Sequence, residues 1–365
     1  MKYDLIVIGG GPAGTAAAIA AAKAGARVRL QERSSFPRHK VCGEFVSAES
    51  LDLLSSLLSA QPALLTEAVR ISKARVFVDG RVLETAIHPV AASIARLELD
   101  ARLWEAAQRA GVELYQECAI SAITGDGPFV VTTCEEKLEA SCVIDASGRW
   151  SNLNAMGQPQ AGHSKKWLGL KAHFTDGTSP TSVDLYFFPG GYCGVQPVRL
   201  STEKQRPARL NVCAMVRADM AATLEEVFAQ HPALFERSRS WQQLSSPVAT
   251  SPLLFHTPQP VRGNILRVGD AAGFVDPFVG DGISLALRGG TLAAQSLLPL
   301  IRREINLEQA SGSYRTAYET ELLPVFRSSS IIRHFFVLPK VMRVPLMFLF
   351  QSLPVLTRYV VRKTR

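Results

Sequence analysis

No C-x-x-C pair occurs among the six cysteines (Cys42, Cys118, Cys134, Cys142, Cys193 and Cys213), and no histidine stands in H-x-x-x-H or H-x-x-E spacing. A zinc site and a disulfide scaffold are therefore not expected, and no metal is assigned. No G-x-S-x-G elbow is present, which leaves nucleophilic acyl chemistry without support. No uncharged apolar run reaches the ~18 residues that a bilayer-spanning helix needs. The N-terminus lacks the basic flank, apolar core and cleavage site of a signal peptide, and dispersed thiols suit a reducing compartment, so a cytoplasmic protein is expected. Acidic residues are missing altogether after Glu321, while from Ile301 onward 11 Lys and Arg face 4 Glu. That tail is also strongly apolar and is cut by Pro339, Pro345 and Pro354. A basic amphipathic helical segment contacting an anionic membrane surface through residues 324 to 365 fits better than nucleic acid; it could equally cover a pocket.

What is present begins at once. "YDLIVI" reads as a strand, "GGGPAG" follows, and "TAAAIAAAKAG" reads as a helix closed by Gly25. Gly9, Gly11 and Gly14 fit G-x-G-x-x-G: a tight turn, a close backbone approach to a pyrophosphate, and helix packed on strand. Pro12 and Ala13 open the helix whose N–H groups would meet the phosphates. A second strand, "ARVRLQE", ends at Glu32, 18 residues after Gly14, where a carboxylate would accept from an adenosine ribose, with Arg33 beside it.

A second strand-turn-helix passage, "NILRVGDAAGFVDPFVGDGISLALRGG", spans residues 264 to 290. Gly269 ends its strand, Asp270 is placed to bond a polyol hydroxyl, and Pro277, Gly280, Gly282 and Ile283 lead into a helix whose dipole would stabilise negative charge on an isoalloxazine. NAD has no use for so distant a second element, whereas the longer FAD does.

These motifs, with "RLELDARLWEAAQRAG" (96 to 111) and "VIDASGRWS" (143 to 151), resemble the para-hydroxybenzoate-hydroxylase-like FAD-dependent oxidoreductase superfamily. The resemblance runs from Met1 to about Gly290 and is closest to its geranylgeranyl-reductase and FAD-dependent monooxygenase branch. It implies an α/β fold with mixed α+β character: a Rossmann-type FAD-binding domain (1–67, 92–160 and 250–300) and an inserted, mostly antiparallel β substrate domain (68–91 and 161–249), followed by a helical segment (301–365). By resemblance, Arg96 contacts the cofactor, the turn Asp145, Ala146, Ser147 and Gly148 closes over the adenosine side, and Asp270 touches the ribityl chain. Taken alone, Arg96 is equally a solvated helix-start residue.

"FPRHKVCGE" resembles the reductase branch, where the cysteine lies close to the flavin; Lys40, Cys42 and Gly43 thus join the cofactor candidates. Cys42, Glu44 and Tyr192 are the catalytic candidates, although a lone cysteine is more often a small buried hydrophobe and Tyr192 could simply cap a sheet. Trp167, Phe174, Tyr186, Phe188 and Tyr192 are candidate pocket liners. "DG" at Asp79–Gly80 predicts a hairpin. The G-E-S and W-x-W-x-I-P signatures of flavin-dependent halogenases are missing, so halogenation is not expected. The expected activity is an NAD(P)H-dependent monooxygenase, with NAD(P)H a transient donor, acting on a small apolar or aromatic molecule. The alternatives are reduction of prenyl-lipid alkenes and electron carriage at a membrane.

Overall fold

A computed structural model describes residues 2–59, 63–149, 166–176, 181–201 and 209–337. Two sheets organise it. The first comprises β1 (Lys2–Ile8), β2 (Val28–Gln31), β6 (Glu113–Tyr115), β7 (Ala122–Thr124), β8 (Phe129–Thr132), β9 (Lys137–Asp145), β16 (Val261–Arg262) and β17 (Ile265–Arg267). The second takes β3 (Phe45–Val46), β4 (Val69–Val78), β5 (Arg81–Ser93), β10 (Trp167–Thr175), β11 (Ser182–Phe188), β12 (Gly191–Val198), β13 (Arg209–Arg217), β14 (Gln242–Gln243) and β15 (Val248–Thr250). The helices are α1 (Pro12–Lys23), α2 (Ala48–Leu57), α3 (Ala63–Thr66), α4 (Arg96–Arg109), α5 (Leu224–Ala229), α6 (Pro232–Ser238), α7 (Gly282–Ile301), α8 (Leu307–Glu321) and α9 (Leu323–Val337).

β1 lies in the middle of the first sheet, in the order β16-β17-β9-β1-β2-β6, and its pairings with β2 and β9 are parallel. A strand covered on both faces must be apolar throughout, which is why "LIVI" does not alternate. α1 is built largely of alanine because it is pressed between this sheet and α7. The contact is backbone to backbone: a Cβ added at Gly290 of α7 would sit 2.0 Å from the Ala13 carbonyl oxygen. The N-terminal motif and the C-terminal passage are thereby packed together.

The second sheet runs β14-β10-β13-β12-β11-β4-β5-β3 and is antiparallel except where β11 joins β4. Its outer hairpin turns where expected: Asp79 (φ 52) and Gly80 (φ 78) are both left-handed, the two-residue geometry that suits right-twisted strands. The sheet also recruits Phe45–Val46 from the segment after the second Rossmann strand, a pairing of two residues too short to leave a periodic signal.

The aromatic expectations need correction by one residue. On β11 the side chains of Val183, Leu185 and Phe187 face the cavity between the sheets. Tyr186 and Phe188 point away with Phe174 into a separate core against α5 and α6; Tyr186 stacks on Phe77 at 4.4 Å. Strand alternation permits only one parity, and "DLYFF" is apolar enough on both faces to hide which. Trp167 packs in the cluster of Phe187 and Tyr192 without lining the cavity.

α9 is fastened back onto the body, Arg333 Nε lying 3.4 Å from Asp276 Oδ2 and its guanidinium over the Phe255 ring. Among the described residues no helix is long and apolar enough to cross a membrane. Most of the expected amphipathic tail, from residue 338 on, lies outside them.

Candidate functional site

A cavity of about 810 Å³ lies between the two sheets, and it is lined by both glycine-rich passages at once. Gly9, Gly11, Pro12 and Ala13 come from the first, and Gly269, Asp270, Pro277, Gly280, Gly282 and Ile283 from the second. The glycines have distinct tasks. Gly9 adopts φ +105 and lies against the Ala146 carbonyl, where a Cβ would be 2.3 Å from oxygen. Gly14 does not reach the cavity; its missing side chain lets α1 rest on Gly9, whose carbonyl oxygen would be 1.9 Å from a Cβ. At Gly11 a Cβ would meet nothing within 4 Å, because this residue faces the open groove.

Glu32 stands at the groove wall directly after β2. Its carboxylate accepts from the Gly10 N–H at 2.8 Å, from the Ser34 N–H at 2.9 Å and from Arg38 at 3.0 Å. A carboxylate has about four acceptor positions, so one remains for a ribose hydroxyl. Arg33, Arg38 and Lys40 line the same end. Burial pushes Lys40 down to about 8, and the neighbouring Arg38 adds to the shift.

The Cys42–Gly43–Glu44 segment forms part of the wall, and beneath it lies a buried charged cluster. Glu44 takes φ 61, and its side chain turns inward to accept from Lys171 and, at 2.9 Å, to meet His173 Nε2. All three side chains are at most 1% exposed. Burial alone would raise the Glu44 carboxyl; the Lys171 ammonium and His173 overcome this and hold it at about 2. A carboxylate so held is no proton donor near neutral pH, and in this structure its contacts anchor the loop. It also accepts from the Arg96 N–H at 2.9 Å, while the Asn211 amide donates to the carbonyls of Cys42 (3.1 Å) and Gly43 (2.8 Å). Cys42 Sγ accepts from the Glu44 N–H at 3.3 Å and keeps a face on the cavity.

Arg96 lines the cavity, but its guanidinium is gripped by buried Asp100 through contacts of 2.7 and 2.8 Å. Ala146, Ser147 and Gly148 line the groove; Asp145 does not. The Asp145 carboxylate is 1% exposed and accepts from Ser147 N–H and Oγ, so it shapes the turn, a role opposite to the expected contact with a ligand. Arg149 follows, 3.3 Å from Asp270 and over the Phe274 ring at 4.1 Å, with its Nη1 buried and unpartnered.

The far wall is the second sheet: Ala74, Val76, Thr85, Ile87, Val183 and Leu185. Phe187, Tyr192 and Phe278 close an aromatic corner, with centroids 5.6 to 6.0 Å apart. Burial raises the Tyr192 phenol well above its usual range, so it stays protonated.

Lys171, His173, Asn211 and Arg149 escaped sequence reasoning. Lys171 and His173 did leave a signal, two polar residues at i and i+2 on one face of an otherwise apolar strand, which is where a buried ion pair hides. Asn211 and Arg149 left none.

A family model described as FAD dependent oxidoreductase matches residues 4–158. Menaquinone reductase of Mycobacterium tuberculosis is 27% identical over 327 residues, covering 80% of this chain and 76% of its own. Digeranylgeranylglycerophospholipid reductase 2 of Methanopyrus kandleri is 24% identical over 351 residues, covering 90% of this chain and 85% of its own. Among solved structures, a flavin-dependent brominase superposes with TM-score 0.81 at 18% identity, covering 100% of this chain and 93% of its own, a likeness of fold. The groove fits FAD on its own terms, with an open glycine face at Gly11, cations and a helix start at one end, and a second helix start with Asp270 at the other. Two glycine passages on one groove, the family model and these relatives point the same way: over residues 4–158 the chain is similar to FAD dependent oxidoreductases, and over most of its length it is similar to flavoenzymes that include a digeranylgeranylglycerophospholipid reductase.

Proposed function

We propose that this chain is an FAD-dependent reductase acting on the alkenes of an extended apolar, isoprenoid-type molecule, with NAD(P)H as a transient electron donor. One observation carries this reading: the charged residues of the cavity lie on the cofactor side, and the wall formed by β4, β5 and β11 is uncharged, lined by five aliphatic side chains, Thr85 and, at its end, Phe187. Such a wall holds a hydrocarbon by burial alone, at roughly 25 cal/mol per Å². The two reductases among its relatives support the same class.

FAD, when bound, supplies the electron pair. The chain's own residues orient and insulate. Asn211 holds the Cys42 and Gly43 carbonyls at the groove, while Lys171 and His173 hold the adjoining Glu44 side chain. Tyr192 lines the aromatic corner with its phenol buried and protonated. A second reading, oxygenation of a flat ring, is favoured by the aromatic corner of Phe187, Tyr192 and Phe278. The product mass separates them. Incubation with a prenyl lipid, reductant and no oxygen is expected to add two hydrogens; a product heavier by one oxygen, formed only in air, selects oxygenation instead.

Lys40 gives the cofactor end a pH signature. Its folded pKa of about 8 is below the ordinary 10.5, so the unliganded fold gains stability as pH rises between those values. A bound polyanion reverses the preference by favouring the ammonium. FAD binding is expected to weaken as pH rises through about 8. Lys40→Met should weaken binding below that pH and flatten the profile; an unaltered profile in titrations would remove Lys40 from the cofactor site.

A further inference from the structure

We propose that Cys118 and Cys134 are an oxidisable dithiol, a modification site at the adenosine end of the groove that takes a hydroperoxide as oxidant. Their sulfur atoms are 3.4 Å apart although 16 positions separate them in the chain. A bonded pair needs about 2.05 Å, so a shift of little more than an ångström closes it. One partner is placed to move. Cys134 is exposed in the loop between β8 and β9, a turn held by Thr133, whose N–H donates to the Glu136 carbonyl at 2.9 Å and whose Oγ1 accepts from Glu135 and Glu136. The Cys134 side chain takes no part in that turn.

The other partner reports to the site. Cys118 is 8% exposed, its N–H donates to the Glu32 carbonyl at 3.1 Å, and Cys118, Ala119 and Ile120 line the cavity. Drawing Cys118 toward the hairpin therefore pulls on the Glu32 backbone.

The chemistry balances in two steps. The Cys134 thiolate attacks an oxygen of hydrogen peroxide; the O–O bond breaks, an S–O bond forms, and water leaves once the departing oxygen takes a proton. Cys118 then attacks the Cys134 sulfur, the S–S bond forms, and the hydroxyl leaves as a second water. Two thiols are oxidised and one peroxide is reduced. FAD held in the adjoining groove would, when reduced and exposed to dioxygen, supply such an oxidant close by. Hydrogen bonding to Cys118 raises the Cys134 thiol above its ordinary range, and oxidation should accelerate as pH rises.

The test uses the full chain, reduced and then treated with equimolar hydrogen peroxide, unfolded under alkylating reagent and mapped by peptide mass. A peptide pair linking Cys118 to Cys134, two hydrogens lighter than its parts, is expected, with Cys42, Cys142, Cys193 and Cys213 alkylated. In Cys118→Ser, Cys134 should instead be trapped by dimedone as sulfenic acid. Oxidation of other cysteines first, or of Cys134 without the link, overturns the proposal whether or not FAD is bound. In FAD-loaded protein the link should release cofactor several-fold faster, and Cys134→Ser should abolish that acceleration; release unchanged by the link overturns the connection to Glu32.

Discussion

Glu44→Gln is expected to destabilise the fold by roughly 3–5 kcal/mol, the scale for removing one partner of a buried ion pair. The reason is what remains. Lys171 is 1% exposed with Glu44 as its ion-pair partner, and no amide oxygen compensates an ammonium removed from water. Glu44→Gln combined with Lys171→Met should recover part of the loss, because it removes the orphaned charge as well. The pH dependence identifies the mechanism. The Glu44 carboxyl is depressed from 4.5 to about 2 in the fold, so its contribution is fully present above pH 4.5 and disappears as pH falls toward 2. At 1.36 kcal/mol per unit this amounts to about 3 kcal/mol. Denaturant titrations should show wild-type stability falling through that window and the variant falling less. Equal acid slopes in the two proteins would show that the cluster does not hold its charges as described.

Gly14→Ala and Gly11→Ala are expected to fail in different ways. At Gly14 the new methyl collides with the Gly9 carbonyl oxygen at 1.9 Å, and main chain must move. Overpacking of this kind costs about 1–3 kcal/mol or more, and the displaced turn is the one that would meet the pyrophosphate. Gly14→Ala should therefore lose stability and, at 1.4 kcal/mol per tenfold, roughly ten- to a hundredfold in FAD affinity. Gly11→Ala meets no protein atom within 4 Å, so its stability should be unchanged while the methyl occupies space a ligand needs. Calorimetry and FAD titration read the two separately. A Gly11→Ala protein that binds FAD as the wild type does would put the ligand elsewhere.

The cofactor half was legible because its physics is local. A glycine turn, a helix start and an acid after the next strand must occur at short fixed spacings, and Gly9, Gly11 and Glu32 stand where those spacings put them. The hairpin at Asp79–Gly80 was legible for the same reason. The roles of Glu44 and Asp145 were not, because each depends on a partner remote in sequence or on a turn read in detail: Lys171 lies 127 positions from Glu44. The parity of β11 was hidden because both faces are apolar, one toward a core and the other toward the cavity. Sequence pattern tells buried from exposed, and it does not tell one apolar burial from another.

That Gly9 and Asp270 attend one FAD molecule is the claim on which the rest depends, and titration of the apoprotein with FAD and with ADP tests it most directly. One FAD per chain is expected, bound more tightly than ADP, with Asp270→Ala weakening FAD and leaving ADP nearly unchanged. FAD bound no better than ADP, or unaffected by Asp270→Ala, would contradict the account.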